Sequence, residues 1–569
     1  MRDALIASIA RATIYPYNKS KYRAYQATLG NARQIEQDDL LALIERHQHT
    51  DFGRAHNFAR IRTVDDFQNQ IPITDYADLA PYFDAVARGQ TNALLPANER
   101  ILEFTCTSGT TGEPKILPVT GNWLKTYQRH WRLWGIKALV DHPGILQKKW
   151  LQISGPATVG VTPAGKRYGM ISAITARHQN PILQYGFAAP FEVGDIAGNQ
   201  TRGYAILRLA IAQSVGFIIT VTPANLIRFA ELADRSKQIL IRDLYDGTMT
   251  GGTPGCELPE GRLRAMMRKR HPERARALER IVKETGTLYP KDFWQLELVA
   301  CWVGGTVGYQ SQNLAKYYGA TPVRDTGYVS TEGRHTIPVA DFTAHGVLVT
   351  GGAFYEFIPE DGGTPCRAAG LEAGQDYQVL LTSSQGLYRY RMGDIVRCHG
   401  FEGQAPILEF IRKTSQFSDM EGEKISGDQI VGAMMTCTAR LGLAVETFGA
   451  IPVRPQQGAP YYAFVLENPG PAPGSVEQDL LRMLDDELRK LSIAYQLRRN
   501  DTSIAAARLF IVETGTFTAL TETFGARFGT GETQYKQAAL LDPELLTTLR
   551  ILRMVENKTA TQDGLETAV

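Results

Sequence analysis

Thr107-Ser108-Gly109-Thr110-Thr111-Gly112-Glu113-Pro114-Lys115 has the composition of a phosphate clamp. Its glycines let the backbone approach an anion closely, its hydroxyls donate to phosphate oxygens, and its lysine supplies fixed positive charge. The apolar run Ile101-Leu102-Glu103-Phe104 precedes it, and an amphipathic helix is expected from Gly121 to Leu139. Strand, glycine-rich turn, then helix is the arrangement in which backbone N–H groups face a phosphate. The Walker pattern G-x-x-x-x-G-K-[ST] fails, because Lys115 lies three residues after Gly112 and is followed by Ile116. A Ser/Thr/Gly linker has the same composition, so the stretch acquires meaning only with partners elsewhere in the chain.

Two further segments supply such partners. Tyr328-Val329-Ser330-Thr331-Glu332-Gly333 follows the apolar run that ends at Cys301-Trp302 and the glycine turn Gly304-Gly305-Thr306-Val307-Gly308-Tyr309. An aromatic ring can stack on a base, hydroxyls can orient phosphates, and a carboxylate can hold the Mg²⁺ that accompanies ATP; a plain turn would look alike. In Tyr388-Arg389-Tyr390-Arg391-Met392-Gly393-Asp394, the last residue sits beside a glycine at the end of an apolar run. A carboxylate there can accept both hydroxyls of a ribose, and the competing reading is an Arg-Asp ion pair at a strand end.

Together, and in this order, the three segments resemble the adenylate-forming superfamily. Within it the chain is most similar to the GH3 family of acyl-acid amido synthetases, known best from plant hormone conjugation and found also in bacteria, and it reads as a bacterial-type member. The likeness spans nearly the whole chain: Asp51 to Phe58, Val64 to Phe67 and Ile71 to Tyr76 resemble the family's amino-terminal signature, Tyr289-Pro290 through Trp302 its central strand, and Gly515-Thr516-Phe517 with Gly531 to Lys536 its closing segment. Two departures stand out. Thr331-Glu332 replaces the usual Ser-Glu and keeps the hydroxyl, whereas Gln537-Ala538-Ala539 replaces the Thr-Pro-Arg that follows Lys536 in plant members.

The resemblance implies two half-reactions: a carboxylic acid attacks the α-phosphorus of ATP and pyrophosphate leaves, then an amine, that of an amino acid, attacks the acyl-adenylate and AMP leaves. It implies that Thr107, Ser108, Gly109, Thr110, Thr111, Gly112 and Lys115 bind the phosphates, Tyr328 lies on the adenine side, Thr331 meets the α-phosphate, Glu332 holds Mg²⁺ and Asp394 holds the ribose. Gly305 and Tyr309 join the nucleotide-binding set. Lys413 contacts the nucleotide at a swivel, and Lys536 reaches the transition-state charge. The substrates are then ATP with small acids and amines, and Mg²⁺ is the cofactor. An acyl-CoA ligase and a non-catalytic nucleotide-binding relative remain as alternatives; retention of Lys115, Glu332, Asp394 and Lys536 together speaks against the latter.

A chain of 569 residues exceeds what one core organises. The expected fold is α/β: the adenylate-forming-enzyme fold, with a large N-terminal α/β domain (1–412) carrying a β-rich lobe, and a small, mobile C-terminal α/β domain (413–569). Helices are expected at Asp38 to His47 and Ala77 to Ala87, and runs such as Leu151 to Ser154, Val215 to Val221 and Leu296 to Trp302 alternate with helical segments as in a parallel sheet. Short runs from Val347 to Phe410 suggest the β-rich lobe, and polar Arg412 to Asp419 a hinge. Beyond it lie strand candidates at Glu446 to Val453, Tyr461 to Leu466 and Ala507 to Glu513. A helix opened by a Ser475/Gln478 capping box carries Leu480, Leu481, Leu484, Leu488 and Leu491 on one face.

With 61 basic against 59 acidic residues the net charge is +2, so no global field marks the chain for nucleic acid or an anionic membrane. The most basic stretch, Arg262 to Lys283, interleaves acids and apolar residues as one solvated amphipathic helix would. Six scattered cysteines form no C-x-x-C pair, which fits thiols in a reducing compartment. The opening residues lack an apolar core for a secretory signal, and no stretch approaches the ~18 apolar residues of a membrane helix. The expected location is the cytoplasm. Basic residues such as Arg129 on the aromatic-rich helix after the clamp are candidates to face the acid's carboxylate.

Overall fold

The apolar runs between residues 149 and 325 form a parallel sheet. Lys149–Gln152, Val215–Ile219, Leu298–Cys301 and Val323–Asp325 lie side by side in sequence order, each parallel to the next. Parallel neighbours need long crossovers, and helices such as Asn199–Ala210, Pro223–Arg235 and Pro272–Thr285 supply them. All four residues of Leu298–Cys301 are fully buried, as in a sheet covered on both faces. The computed structural model describes residues 2–556 apart from 107–114, 154–157, 180–182, 184, 197, 252–260, 415–416, 446, 468–473, 521–538 and 548. Thr107 to Gly112 and Lys536 therefore lie outside the described residues.

The chain divides into two compact units, the described parts of 1–304 and 311–410 in one, and of 305–310, 411–524 and 536–569 in the other. In the first, the expected early helices occur as Ala32–His47 and Tyr76–Ala87, the latter opened by an Asp75/Asp78 capping box. Arg262 to Lys283 is not one helix: Arg262–Met267 stops and Pro272–Thr285 starts afresh. Pro272 lacks an N–H and its ring collides with the carbonyl four residues back, so it fits a first turn and not an interior.

The β-rich lobe is a seven-stranded sheet in the order Cys366–Arg367, Ala353–Pro359, Asp376–Ser383, Leu387–Glu402, Ala405–Lys413, Gly346–Leu348 and Thr336–Pro338. The amino-terminal segment is bolted to the start of its longest strand. Phe52 stacks on Tyr388 at 4.6 Å and His47 Nδ1 lies 2.7 Å from the Tyr388 hydroxyl. The Thr74 backbone donates to Arg389 O at 3.1 Å and accepts from Arg391 N at 2.8 Å. This fixes the backbone on either side of Tyr390.

The second unit is built on a four-stranded sheet, Phe448–Val453, Tyr461–Glu467, Arg508–Val512 and Ile551–Glu556, with Gly427–Leu441 and Gly474–Leu491 as its longest helices. Leu480, Leu481, Leu484 and Leu488 are buried, but Leu491 at the helix end is exposed. The helix begins at Gly474, so Ser475 lies in its first turn. No helix of the described residues is long and apolar enough to cross a membrane.

Candidate functional site

Beyond Val323–Asp325 the chain turns sharply at Gly327, which has φ +86°, and a Cβ there would come within 2.5 Å of the Thr336 carbonyl. Only glycine tolerates both conditions. The turn sends Tyr328 to Arg334 out as a tight loop. Tyr328 N donates to Thr336 Oγ1 at 2.9 Å, Ser330 N donates to Gly333 O at 2.8 Å, and Val329 pairs with Arg334. Thr331 and Glu332 stand at its tip. Trp123, in the first turn of the Gly121–Asp141 helix, donates its indole N–H to the Glu332 carbonyl at 3.3 Å. The tip is thereby pinned to the helix that follows the clamp stretch.

The Glu332 side chain is nearly buried, at 8% exposure. Its Oε2 accepts the Thr331 hydroxyl at 2.8 Å, and among the described residues it forms no ion pair with a basic side chain. A carboxylate in such surroundings is costly unless a cation meets it.

Asp394 follows Gly393, whose φ is +68°. Its Oδ2 accepts the Tyr328 hydroxyl at 2.6 Å. Burial first, and Asp394 next, hold the Tyr328 phenol far above its ordinary range, so it stays protonated and donates. The Tyr328 ring is enclosed, 4.4 Å from the His335 ring and 5.7 Å from that of Phe410. Both neighbours lie tilted to the ring, and its hydroxyl is the group that meets Asp394.

Lys115 Nζ donates to the Tyr390 hydroxyl at 3.0 Å and lies 5.2 Å from the centre of the Tyr76 ring. Tyr390 ties the three segments together. Its phenol is pushed up by burial first, then by Glu332 and Asp394. Lys115 from the clamp, Glu332 from the loop and Asp394 from the strand thus share one electrostatic neighbourhood. Of the two arginines in the same stretch, Arg389 turns away to a bidentate pair with Glu356 at 2.9 Å per bond, and Arg391 lies 3.8 Å from Asp75.

Arg334 was not singled out by sequence. It is 1% exposed, and its guanidinium carbon sits 4.0 Å from the Trp131 ring centre. Nη2 donates to the Thr326 carbonyl, whereas Nε and Nη1 have no hydrogen-bond partner among the described residues. Burial pulls its pKa down to about 9. Arg129, the candidate on the neighbouring helix, is exposed. The signal available in sequence was Arg334 two residues after Glu332.

The remaining expected residues lie in the second unit. Gly305 opens the short helix Gly305–Asn313, in which Tyr309 is buried against Phe448 with ring centres 4.7 Å apart. The ring belongs to that unit's hydrophobic core. Lys413 is exposed at the end of Ala405–Lys413.

Comparison with known proteins places the chain beside one family throughout. The GH3 family N-terminal domain matches residues 21–323, the GH3 family central domain 346–413 and the GH3 family C-terminal domain 428–544. The indole-3-acetic acid-amido synthetase GH3.5 of Arabidopsis thaliana is 23% identical, over 92% of this chain and 91% of the relative. The jasmonoyl--L-amino acid synthetase JAR6 of Nicotiana attenuata is also 23% identical, over 92% and 93%. A solved GH3.15 acyl acid amido synthetase in complex with 2,4-DB superposes with a TM-score of 0.84 at 18% identity, over 96% of this chain and 98% of that one.

Proposed function

The chain belongs to the GH3 family, and from that premise we propose that it is an ATP-dependent acyl-acid amido synthetase, joining a small carboxylic acid to the amine of an amino acid. The observation that carries this reading is that Lys115 reaches the Tyr390 hydroxyl while Asp394, four residues further along the same strand, is held by Tyr328 of the loop that carries Glu332, so that three segments far apart in sequence, each with a group one nucleotide needs, are linked.

In the first half-reaction a carboxylate oxygen of the acid bonds to the α-phosphorus of ATP, and the bond to pyrophosphate breaks. In the second, the amine nitrogen bonds to the acyl carbon, AMP leaves with the electron pair of the acyl–oxygen bond, and the amine proton is lost. Asp394, held by Tyr328, accepts the ribose hydroxyls. Lys115 neutralises phosphate charge, joined by the donors of Thr107, Ser108, Thr110 and Thr111. Thr331 orients the α-phosphate, and Lys536 meets the charge that develops there. Glu332, nearly buried and without a basic partner among the described residues, suits a divalent cation. When bound, Mg²⁺ neutralises phosphate oxygens. The protein acts in the cytoplasm, in keeping with the free thiols of Cys106, Cys301, Cys366, Cys398 and Cys437. Residues 413–569 form the mobile domain that reorients between the two half-reactions.

The test is ATP–pyrophosphate exchange over aromatic, indole-type and fatty acids, followed by mass spectrometry of products with amino acids or CoA added. Acid-dependent exchange and an N-acyl amino acid are expected. Exchange that ends only in a thioester makes the protein a CoA ligase, and no exchange with any acid removes the catalytic reading.

A further inference from the structure

His399 and Glu409 stand on neighbouring strands of the seven-stranded sheet, and His345 immediately precedes the next strand, Gly346–Leu348. Gly346 is paired with Leu408 in antiparallel register, which sets His345 and Glu409 opposite each other one step further along. His399 lies on the adjoining strand Leu387–Glu402. Its Nε2 is 2.7 Å from Glu409 Oε2, and His345 Nε2 is 3.5 Å from the same oxygen. The two imidazoles stack face to face, 3.7 Å between centres and 24° between planes. One ligand atom from each of the three residues lies within 4.8 Å of the others.

Two of the three side chains project from paired strands and the third abuts the start of the next strand and stacks on His399, so the three are brought together beside the sheet. A four-coordinate zinc ion with bonds of about 2.0–2.1 Å keeps its ligand atoms roughly 3.3 Å apart. The distances here bracket that value, and small side-chain rotations reach it. Two imidazole nitrogens with one carboxylate select zinc, copper, nickel or cobalt over magnesium and calcium, which prefer oxygen. The side chains are 38%, 27% and 26% exposed, which leaves room for water at a further position. Positions 394 and 399 are five residues apart on one strand, roughly 17 Å at the usual rise, so the cluster is separate from the nucleotide-binding groups.

We propose that His345, His399 and Glu409 bind one transition-metal dication, zinc foremost, as a clip across three strands outside the catalytic centre. The test uses the full-length protein without a histidine tag, stripped with a chelator and titrated with Zn²⁺ by calorimetry, and with Co²⁺ by visible absorption. One zinc per chain is expected, with affinity falling at least tenfold in His399→Ala and in Glu409→Gln. The melting temperature of the wild type should rise by roughly 2–5 °C with excess zinc, and that of the variants should not. Both substituted residues are partly exposed, and Glu409→Gln keeps the side-chain shape, so retained pyrophosphate exchange in the stripped variants certifies their fold. Wild type and both variants binding zinc alike, or no binding by the wild type up to about 1 mM metal, overturns the assignment.

Discussion

The Tyr328 hydroxyl donates to Asp394 across 2.6 Å, although 66 positions separate the two in the chain. The bond ties the loop beyond the parallel sheet to the long strand of the β-rich lobe. Both ends are fixed independently: Tyr328 by its neighbours His335 and Phe410, and Asp394 by a strand whose start is clamped by the Thr74 backbone. The carboxylate is therefore aimed before any ligand arrives, which lowers the ordering cost of binding.

Tyr328→Phe keeps the ring packing and removes one hydrogen bond to a charged group, worth about 1.5–3 kcal/mol. If Asp394 holds the ribose, the KM for ATP should rise at least about tenfold while kcat changes little. Asp394→Asn should lose at least as much. Steady-state kinetics with saturating acid measure this split; a Tyr328→Phe enzyme with the parent KM would contradict the positioning role.

Lys115 and Tyr390 should separate by magnitude. Lys115→Ala deletes the cation and should slow pyrophosphate exchange by about 10²- to 10³-fold. Tyr390→Phe removes only a hydroxyl that steadies Nζ at 3.0 Å and should cost about 3- to 10-fold. Exchange rates in the two variants decide the point, and a larger loss for Tyr390→Phe would shift the principal role from the lysine to the phenol.

Lys536→Ala should retain ATP binding and lose pyrophosphate exchange by about 10²- to 10³-fold, because a pre-aimed cation acts on charge that exists only in the transition state. Nucleotide binding by calorimetry, set beside exchange rates, separates the two effects. Parent-level exchange in this variant takes Lys536 out of the mechanism.

What sequence revealed and what it hid follow from the range of the forces involved. The parallel sheet was legible because doubly buried strands such as Leu298–Cys301 must be apolar throughout. Arg2–Leu29 was not, since its apolar residues fall on no single stripe and Pro16, a residue that usually ends a helix, lies inside it. Tyr309 packs in a core, and in sequence an aromatic residue near glycines looks the same whether it stacks on a base or fills a core. The enclosure of Tyr328 depends on Phe410, and the burial of Arg334 on Trp131; contacts so distant in sequence leave no local pattern. Lys115, Glu332 and Asp394 stood out in the sequence because their residue types sit in short, dense motifs.

Glu36 makes the fold itself pH-dependent. It is buried in the Ala32–His47 helix, and burial, aided by Asp39, pushes its carboxyl from 4.5 up to about 8. Between those values the native protein keeps a proton that the unfolded chain has already released. The stability this contributes is whole below pH 4.5 and is lost as the pH rises through 8. Glu36→Gln preserves the shape and cannot ionise. At pH 5 the variant and the parent should melt together; at pH 9 the variant should be the more stable, by on the order of 3 kcal/mol. Thermal unfolding at pH 5, 7 and 9 checks this, and equal losses in parent and variant between pH 5 and 9 would show that Glu36 ionises inside the fold at no cost, against the burial that raises its carboxyl.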